Sequence, residues 1–493
     1  MNLKDSLFVT GYNWGTSANG DGDWTPYLRF AGARFYDDLA VFKSGQGMVP
    51  MHATIGPDRF SITPPSLERP LAATGRNVDA VYERLSAQGF KVMLCPQGAF
   101  ANQDLPDGAS FRKHPPIDKN ADPNDVYSYE PYAQLYAQMV LRWGPDKNDQ
   151  EEEVYQGSNS FFSTDPGTGR NTVWGFQAGN ELNFRWHGGR ILTPRQIGIM
   201  WAMCYTEARF VSPNARLIAP SFLSATPDKL KELIEGFAEG RLQLGLIFAR
   251  DWHPSFHRYH REGNQGQLQV DGDAGASPES VDAYGLYRGM VEVCDSYGIG
   301  RPMLTETGWN DDPSQDGTLQ RAPLQGGFTL SESRALLEFR NLLIAKAAGI
   351  EVVCTYHIAD DYEASWGNGM GWHHGERRDH PDFPGAARWS PKPSVLLLEQ
   401  LMEEMGHLEI EEGTFDVDGN VFAVRSDDGW VQWTDGAPVG DLTPRPQFFP
   451  LISQPEPEPI PSPVPEPEPE PQGPEWIDLG TTSRGRLWIE LNA

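Results

Sequence analysis

Short apolar runs of strand length alternate along the chain with longer segments in which apolar residues recur every three or four positions. This is the pattern of βα units feeding a parallel sheet. The runs are SLFVTGY (6–12), ARFYDD (33–38), FKVMLCP (90–96), TVWGFQAGNE (172–181), ARLIAPS (215–221), LGLIFARDWH (244–253), PMLTETGW (302–309) and EVVCTYH (351–357). Between them, 77–89, 193–211 and 329–349 read as helices. The second takes Thr193 as N-cap with Pro194 in the first turn; the third opens with a Thr329/Glu332 capping box and stops at Gly349.

Eight such units over residues 1–405 predict a (β/α)8 barrel with long loops rather than a doubly wound sheet, which usually has fewer strands. After a last helix at 392–406 the pattern changes to alternation punctuated by DGN and DDG, so 406–453 reads as a small antiparallel β appendage. Residues 454–474, QPEPEPIPSPVPEPEPEPQGP, read as a stiff, solvated Pro/Glu linker. The final segment, 475–493, holds two short strands too small to fold alone, expected to pair with another part of the chain or another subunit.

Composition narrows the function. The 493 residues carry a net charge of -28, which argues against nucleic acid and anionic membrane surfaces as partners. Fifteen Trp, sixteen Tyr and twenty-four Phe exceed what the core of so polar a chain requires, and flat rings suit sugar faces. Cys95, Cys204, Cys294 and Cys354 are widely spaced in apolar contexts and read as buried thiols. The N-terminus has no secretory h-region and no run spans a bilayer, so a soluble protein is expected. Its compartment stays open between cytosol, release by lysis and carriage on a virus-like particle.

In a barrel of this kind, chemistry sits at the C-terminal ends of the strands. Candidates there are Arg34 to Asp38, Gln97, Asn180, Glu181, Ser221, His253, Glu306, Trp309 and His357. Glu181 ends the fourth run and Glu306 the seventh, so the two carboxylates face one another across the mouth. Glycosidic bond cleavage needs such a pair: one carboxyl protonates the leaving oxygen while the other attacks or stabilises the anomeric carbon. Trp174, Phe176 and Trp186 are expected to supply the apolar surroundings that keep the acid protonated.

GNELN (179–183) and LTETGW (304–309) resemble the acid/base and nucleophile signatures of the clan A retaining glycoside hydrolases, with Leu182 where proline is usual. The resemblance spans the barrel. It implies Glu181 as general acid/base, Asn180 as partner of the sugar 2-hydroxyl, Glu306 as nucleophile and Arg34 as a contact of the nucleophile. From the sixth-strand segment RDWHPSFHRYH it implies a ligand-facing histidine and a tyrosine, with His253, His257, Tyr259 and His260 as candidates; Trp309 or Trp366 would form an aromatic floor. His357, at the eighth strand end, joins the substrate-binding set.

The expected function is therefore retaining hydrolysis of O-glycosidic bonds in a poly- or oligosaccharide, without cofactor. The alternative is a catalytically silent glycan-binding barrel. The histidine-rich segments 251–260 and 371–380 invite a metal, but Pro254 breaks the helix that would align His253, His257 and His260, and no metal is expected. NGDGDW (19–24) and DVDGN (416–420) lack the closing glutamate of a calcium loop and read as turns. The C-terminal segment is a candidate for self-association or attachment to a particle.

Overall fold

The computed structural model describes residues 1–12, 26–37, 78–96, 115, 120–146, 169–184, 191–261, 275–312, 320–360, 369–374, 390–451, 475–482 and 485–491. Eight parallel strands, β1 (Leu7–Tyr12), β2 (Gly32–Asp37), β3 (Lys91–Pro96), β4 (Gly175–Gln177), β5 (Leu217–Ile218), β6 (Ser255–His257), β7 (Met303–Thr307) and β8 (Val353–Tyr356), make a single sheet. They are hydrogen-bonded in the order β5-β4-β3-β2-β1-β8-β7-β6. An isolated parallel bridge between Ile218 and His253 brings β5 to the β6 side and nearly closes the ring. The fold is the expected (β/α)8 barrel.

Helix ends follow local chemistry. Thr193 caps Pro194–Val211 through a capping box with Gln196, and Thr329 caps Leu330–Ala348 through one with Glu332. Gly349 ends the latter at φ 95°, a conformation open to glycine. Helices Pro194–Val211 and Pro227–Gln243 approach so closely that a methyl group on Gly198 would strike the Leu233 carbonyl, and one on Gly236 the Arg195 carbonyl.

The sixth strand is not where the apolar run 244–253 predicts it. That run begins by closing the helix Pro227–Gln243: Gly245 takes φ 73°, its N–H bonds the Leu242 carbonyl, and the Leu246 N–H bonds the Arg241 carbonyl. This is a Schellman cap. Ile247 is left exposed, Phe248 packs on Phe237 and Tyr297, and β6 starts only at Ser255.

A second sheet, β9 (Ile410–Asp418), β10 (Val421–Ser426), β11 (Gly429–Thr434) and β12 (Gln447–Pro450), is antiparallel in the order β12-β11-β10-β9. DGN forms its β9–β10 turn, as expected. Strand alternation puts Phe415, Phe422, Val424, Val431, Trp433 and Phe448 on one face, and Phe415 stacks on Tyr284 of the helix Ala283–Tyr297 at 4.9 Å.

A buried arginine ties this sheet to the barrel. Arg340 gives one edge of its guanidinium, Nε and Nη2, to the two oxygens of Glu279 (2.7 and 2.6 Å) and also donates to Asp435 (2.7 Å) and Gln325 (2.7 Å); the Trp433 indole also donates to Glu279 (2.7 Å). Arg340→Met leaves two carboxylates facing each other without their cation. It should cost about 3–5 kcal/mol in chemical denaturation.

Residues 475–491 contain a hairpin of β13 (Glu475–Thr482) and β14 (Gly485–Leu491), which pair with each other. The linker 454–474 and NGDGDW lie outside the described residues. No helix among the described residues is long and apolar enough to cross a membrane.

Candidate active site

β2 carries Arg34 into the barrel, where it is wholly buried. A guanidinium there needs acceptors on every side. Its Nη1 donates to Glu306 Oε1 (2.8 Å), Nη2 to Asn180 Oδ1 (2.8 Å) and Cys95 Sγ (3.2 Å), and Nε to Gln177 Oε1 (2.5 Å). Gln177 passes the network on to Ser255 Oγ at 2.8 Å. Burial opposes the Arg34 charge, but Cys95 and Glu306 beside it outweigh this and hold its pKa above the usual arginine value.

Glu306, on β7, therefore meets a fixed cation on one oxygen. Its other oxygen accepts from the Tyr259 hydroxyl at 2.8 Å. Burial pushes the Glu306 carboxyl up to about 7, against the pull of Arg34.

Past β4 the chain turns sharply. Gly179 takes φ 136°, and Glu181 itself sits at φ 46°. A left-handed conformation costs a non-glycine residue about 1–2 kcal/mol, and here it accompanies the turn that brings Asn180 to Arg34 and Glu181 to His257. Because Arg34 can only donate, its bond fixes Oδ1 as the Asn180 atom it meets and leaves the two amide N–H groups on the other side.

His257, at the end of β6, stands between the acids. Its Nδ1 is 2.7 Å from Glu181 Oε1 and 3.3 Å from Glu306 Oε2. Burial pushes its pKa down to about 4, against Glu181, so the ring is neutral near pH 7. Nε2 is buried without a hydrogen-bond partner among the described residues. An orphaned donor is the costlier defect, which puts the single proton on Nδ1, between the carboxylates.

One oxygen each of Glu181 and Glu306 and a nitrogen of His257 lie within 4.8 Å of one another, close enough for a metal ion. A cation there would compete with Arg34 and the Tyr259 hydroxyl for Glu306 and with the Nδ1 proton for Glu181. The partners present suit proton exchange better than metal binding.

His253 does not reach this site. Its Nδ1 bonds the Arg301 carbonyl (3.2 Å) and Glu351 Oε2 (2.9 Å), both from residues that precede β7 and β8, so the ring lies at the opposite rim of the barrel. Its placement follows from the shift of β6. Burial alone would raise the Glu351 carboxyl, but His253, together with Arg216, holds it down at about 2. That carboxylate contributes stability above its ordinary pKa, and the contribution is lost as pH falls from about 4.5 through about 2. Glu351→Gln should lower unfolding stability by about 2–3 kcal/mol at pH 7, with the gap to the native chain closing in acid and the mouth chemistry unchanged.

Trp309 is no sugar floor. It is completely buried, stacked on His260 at 5.3 Å, and its indole donates to the Ala276 carbonyl. β7 ends at Thr307 and the chain turns away at Gly308, carrying Trp309 into packing with Ala322 and Leu337. Trp174 likewise lies ahead of β4, against Phe8 and Arg216, and does not surround Glu181. His357 is buried just past β8, its ring 4.4 Å from that of Tyr356, which packs 6.4 Å from Tyr259. Gln97, Trp186 and Trp366 fall outside the described residues.

No protein-family model matches the chain, and no curated protein does. The solved structures it resembles include glycoside hydrolases. A GH30 endoxylanase from Clostridium papyrosolvens is 12% identical, with 89% of this chain and 82% of that chain covered and a TM-score of 0.43. A glucosidase from Croceicoccus marinus is 13% identical over 88% of this chain and 75% of that chain, TM-score 0.44. A Streptomyces cattleya GH5_18 protein in complex with GlcNAc is 16% identical over 81% and 80%, TM-score 0.41. Likenesses this distant assign this chain neither a family nor an activity.

Gln177 is the site residue that the sequence reading passed over. Its signal was available: one amide in an otherwise apolar strand, where a buried polar group needs a buried partner.

Proposed function

We propose that the chain is a retaining glycoside hydrolase that cleaves O-glycosidic bonds of a poly- or oligosaccharide. The observation that carries this is the Glu181–Glu306 pair, one on the turn after β4 and the other on β7, with an oxygen of each within 4.8 Å of the other. Retaining enzymes hold their carboxyl groups about 5–5.5 Å apart, whereas inverting enzymes leave about 6.5–9.5 Å for a water. Nearest oxygens this close favour direct attack over a gap held open for a water.

The partners divide the roles. Glu306 receives Arg34 and the Tyr259 hydroxyl, two donors that favour its anion, and this suits the nucleophile. Among the described residues Glu181 has His257 Nδ1 as its side-chain partner and no fixed cation, which suits a group that gives and then takes a proton as general acid and base. In the first step Glu306 attacks the anomeric carbon while Glu181 gives its proton to the departing oxygen. In the second, Glu181 takes a proton from water, which displaces Glu306 with net retention. The free Asn180 N–H groups are placed to donate to a sugar hydroxyl beside the reacting carbon.

Incubation with a panel of neutral polysaccharides and aryl glycosides tests the reading, with the anomer first released followed by NMR. Retention is expected on at least one substrate. Inversion would remove the nucleophile role from Glu306, and binding without turnover on any substrate would point to a silent glycan-binding barrel.

The pH profile adds a sharper expectation. Glu306 must be ionised to attack, so kcat/KM should rise with pH along a limb well above the ordinary carboxylate range, towards about 7. His257, held near 4, is neutral throughout that range. Tyr259→Phe removes a donor to the anion and should move the limb to higher pH by about 0.5–1 unit. An unmoved limb would show that another group sets it.

A further inference from the structure

The four-stranded sheet has a second face, opposite the one packed against Tyr284. Asp416 and Asp418 on β9, Val421 and Ala423 on β10, and Trp430 and Gln432 on β11 line a cavity of about 310 Å3 there. Strand register explains its shape. Asp416, Ala423 and Gln432 stand abreast, so a single methyl group forms the floor between a carboxylate and an amide, and Trp430 makes a wall. Phe449, opposite Trp430 on β12, is 41% exposed and extends the aromatic edge.

The polar groups are uncommitted. Neither carboxylate nor the Gln432 amide has a hydrogen-bond or ion-pair partner among the described residues. The cation abreast of Trp430, Arg425, is paired with Glu411 at 3.4 Å. An ordinary solvated sheet face has no need of a half-buried indole or a concave floor. A ring wall that accepts the C–H face of a pyranose, with acceptors and an amide for its hydroxyls, matches a sugar. Two carboxylates with no free cation beside them among the described residues repel uronates, sulfates and phosphates. The volume is at the small end of ligand sites, about 300–1,000 Å3, which suits one sugar unit of a chain that continues into solvent.

We propose that this face is a second, non-catalytic binding site for a neutral glycan chain, with Trp430 as the stacking surface and Asp416, Asp418 and Gln432 as hydroxyl partners. It deepens the glycosidase reading by naming uncharged polysaccharide as the ligand class, and it is tested separately from turnover. Affinity electrophoresis of the full-length Glu306→Gln chain through gels containing β-glucan, xylan, galactan or mannan, with polygalacturonate as the anionic control, measures binding alone.

At least one neutral polymer should retard the chain and polygalacturonate should not. Adding Trp430→Ala should weaken retardation tenfold or more, and Ala423→Gln, which fills the floor and keeps the indole, should do the same at unchanged melting temperature. In the otherwise native chain, Trp430→Ala should leave kcat/KM on a small aryl glycoside intact and lower the rate on the retarding polysaccharide. Retardation indifferent to both substitutions, or by polygalacturonate alone, overturns the proposal; so does the absence of retardation by every neutral polymer. Trp430-dependent binding in a chain that never turns over sinks the glycosidase reading and leaves this site standing; turnover without such binding does the reverse.

Discussion

A Glu306→Gln chain is expected to turn over its glycoside substrates at least about 10,000-fold more slowly than the native chain. The substitution keeps the shape and an acceptor for Arg34 and Tyr259 but removes the charge that the proposed mechanism sends to the anomeric carbon. Burial has already pushed this carboxyl up to about 7, so near neutrality the site holds the uncharged form about as readily as the anion. A neutral amide should therefore fold there with a melting temperature close to that of the native chain, and the loss can be read as chemistry rather than collapse. Turnover within tenfold of native would remove Glu306 from the mechanism. A mass increase of one glycosyl unit on Glu306 with a slow-leaving fluorosugar, absent in Glu306→Gln, would identify the nucleophile directly.

Glu181→Gln should give a different signature. With an alkoxide-like leaving group the first step needs the proton, and its loss should cost about 100–10,000-fold. An activated aryl glycoside leaves unaided, so the first step should survive while the second, which lacks its base, stalls. A burst of aryl alcohol followed by a slow steady state is the expected trace. Azide, a small anion that attacks without base help, should restore the steady rate and give a glycosyl azide of retained configuration. Equal losses across leaving groups, with no rescue, would exclude the acid/base role.

Much of the fold was legible because barrel strands buried on both faces read as apolar runs, and because helix caps have local signatures. Seven of the eight runs overlap a barrel strand. The run at 244–253 does not, since apolar residues after a helix serve a Schellman cap as well as a strand, and Gly245 was the mark that separated them. That one shift carried His253 to the wrong rim and left His257 as the residue between the acids. Glu181, Glu306, Asn180 and Arg34 were legible from their positions at strand ends. Their distances were not, because they depend on where β4 stops and how Gly179 and Glu181 turn. Trp309 misled because an aromatic beside a strand end faces either the mouth or the next layer of packing, and only the turn at Gly308 decides.

Arg34, Gln177, Asn180 and Glu181 come from the first four strands or the turn after them, whereas His257, Tyr259 and Glu306 come from the last four. In the proposed mechanism neither half-barrel therefore holds both the acid and the nucleophile. Cut between β4 and β5, the protein would be two inert fragments whose activity returns only on reassembly, and any exchange of halves with another barrel would have to conserve the seam that Arg34 spans.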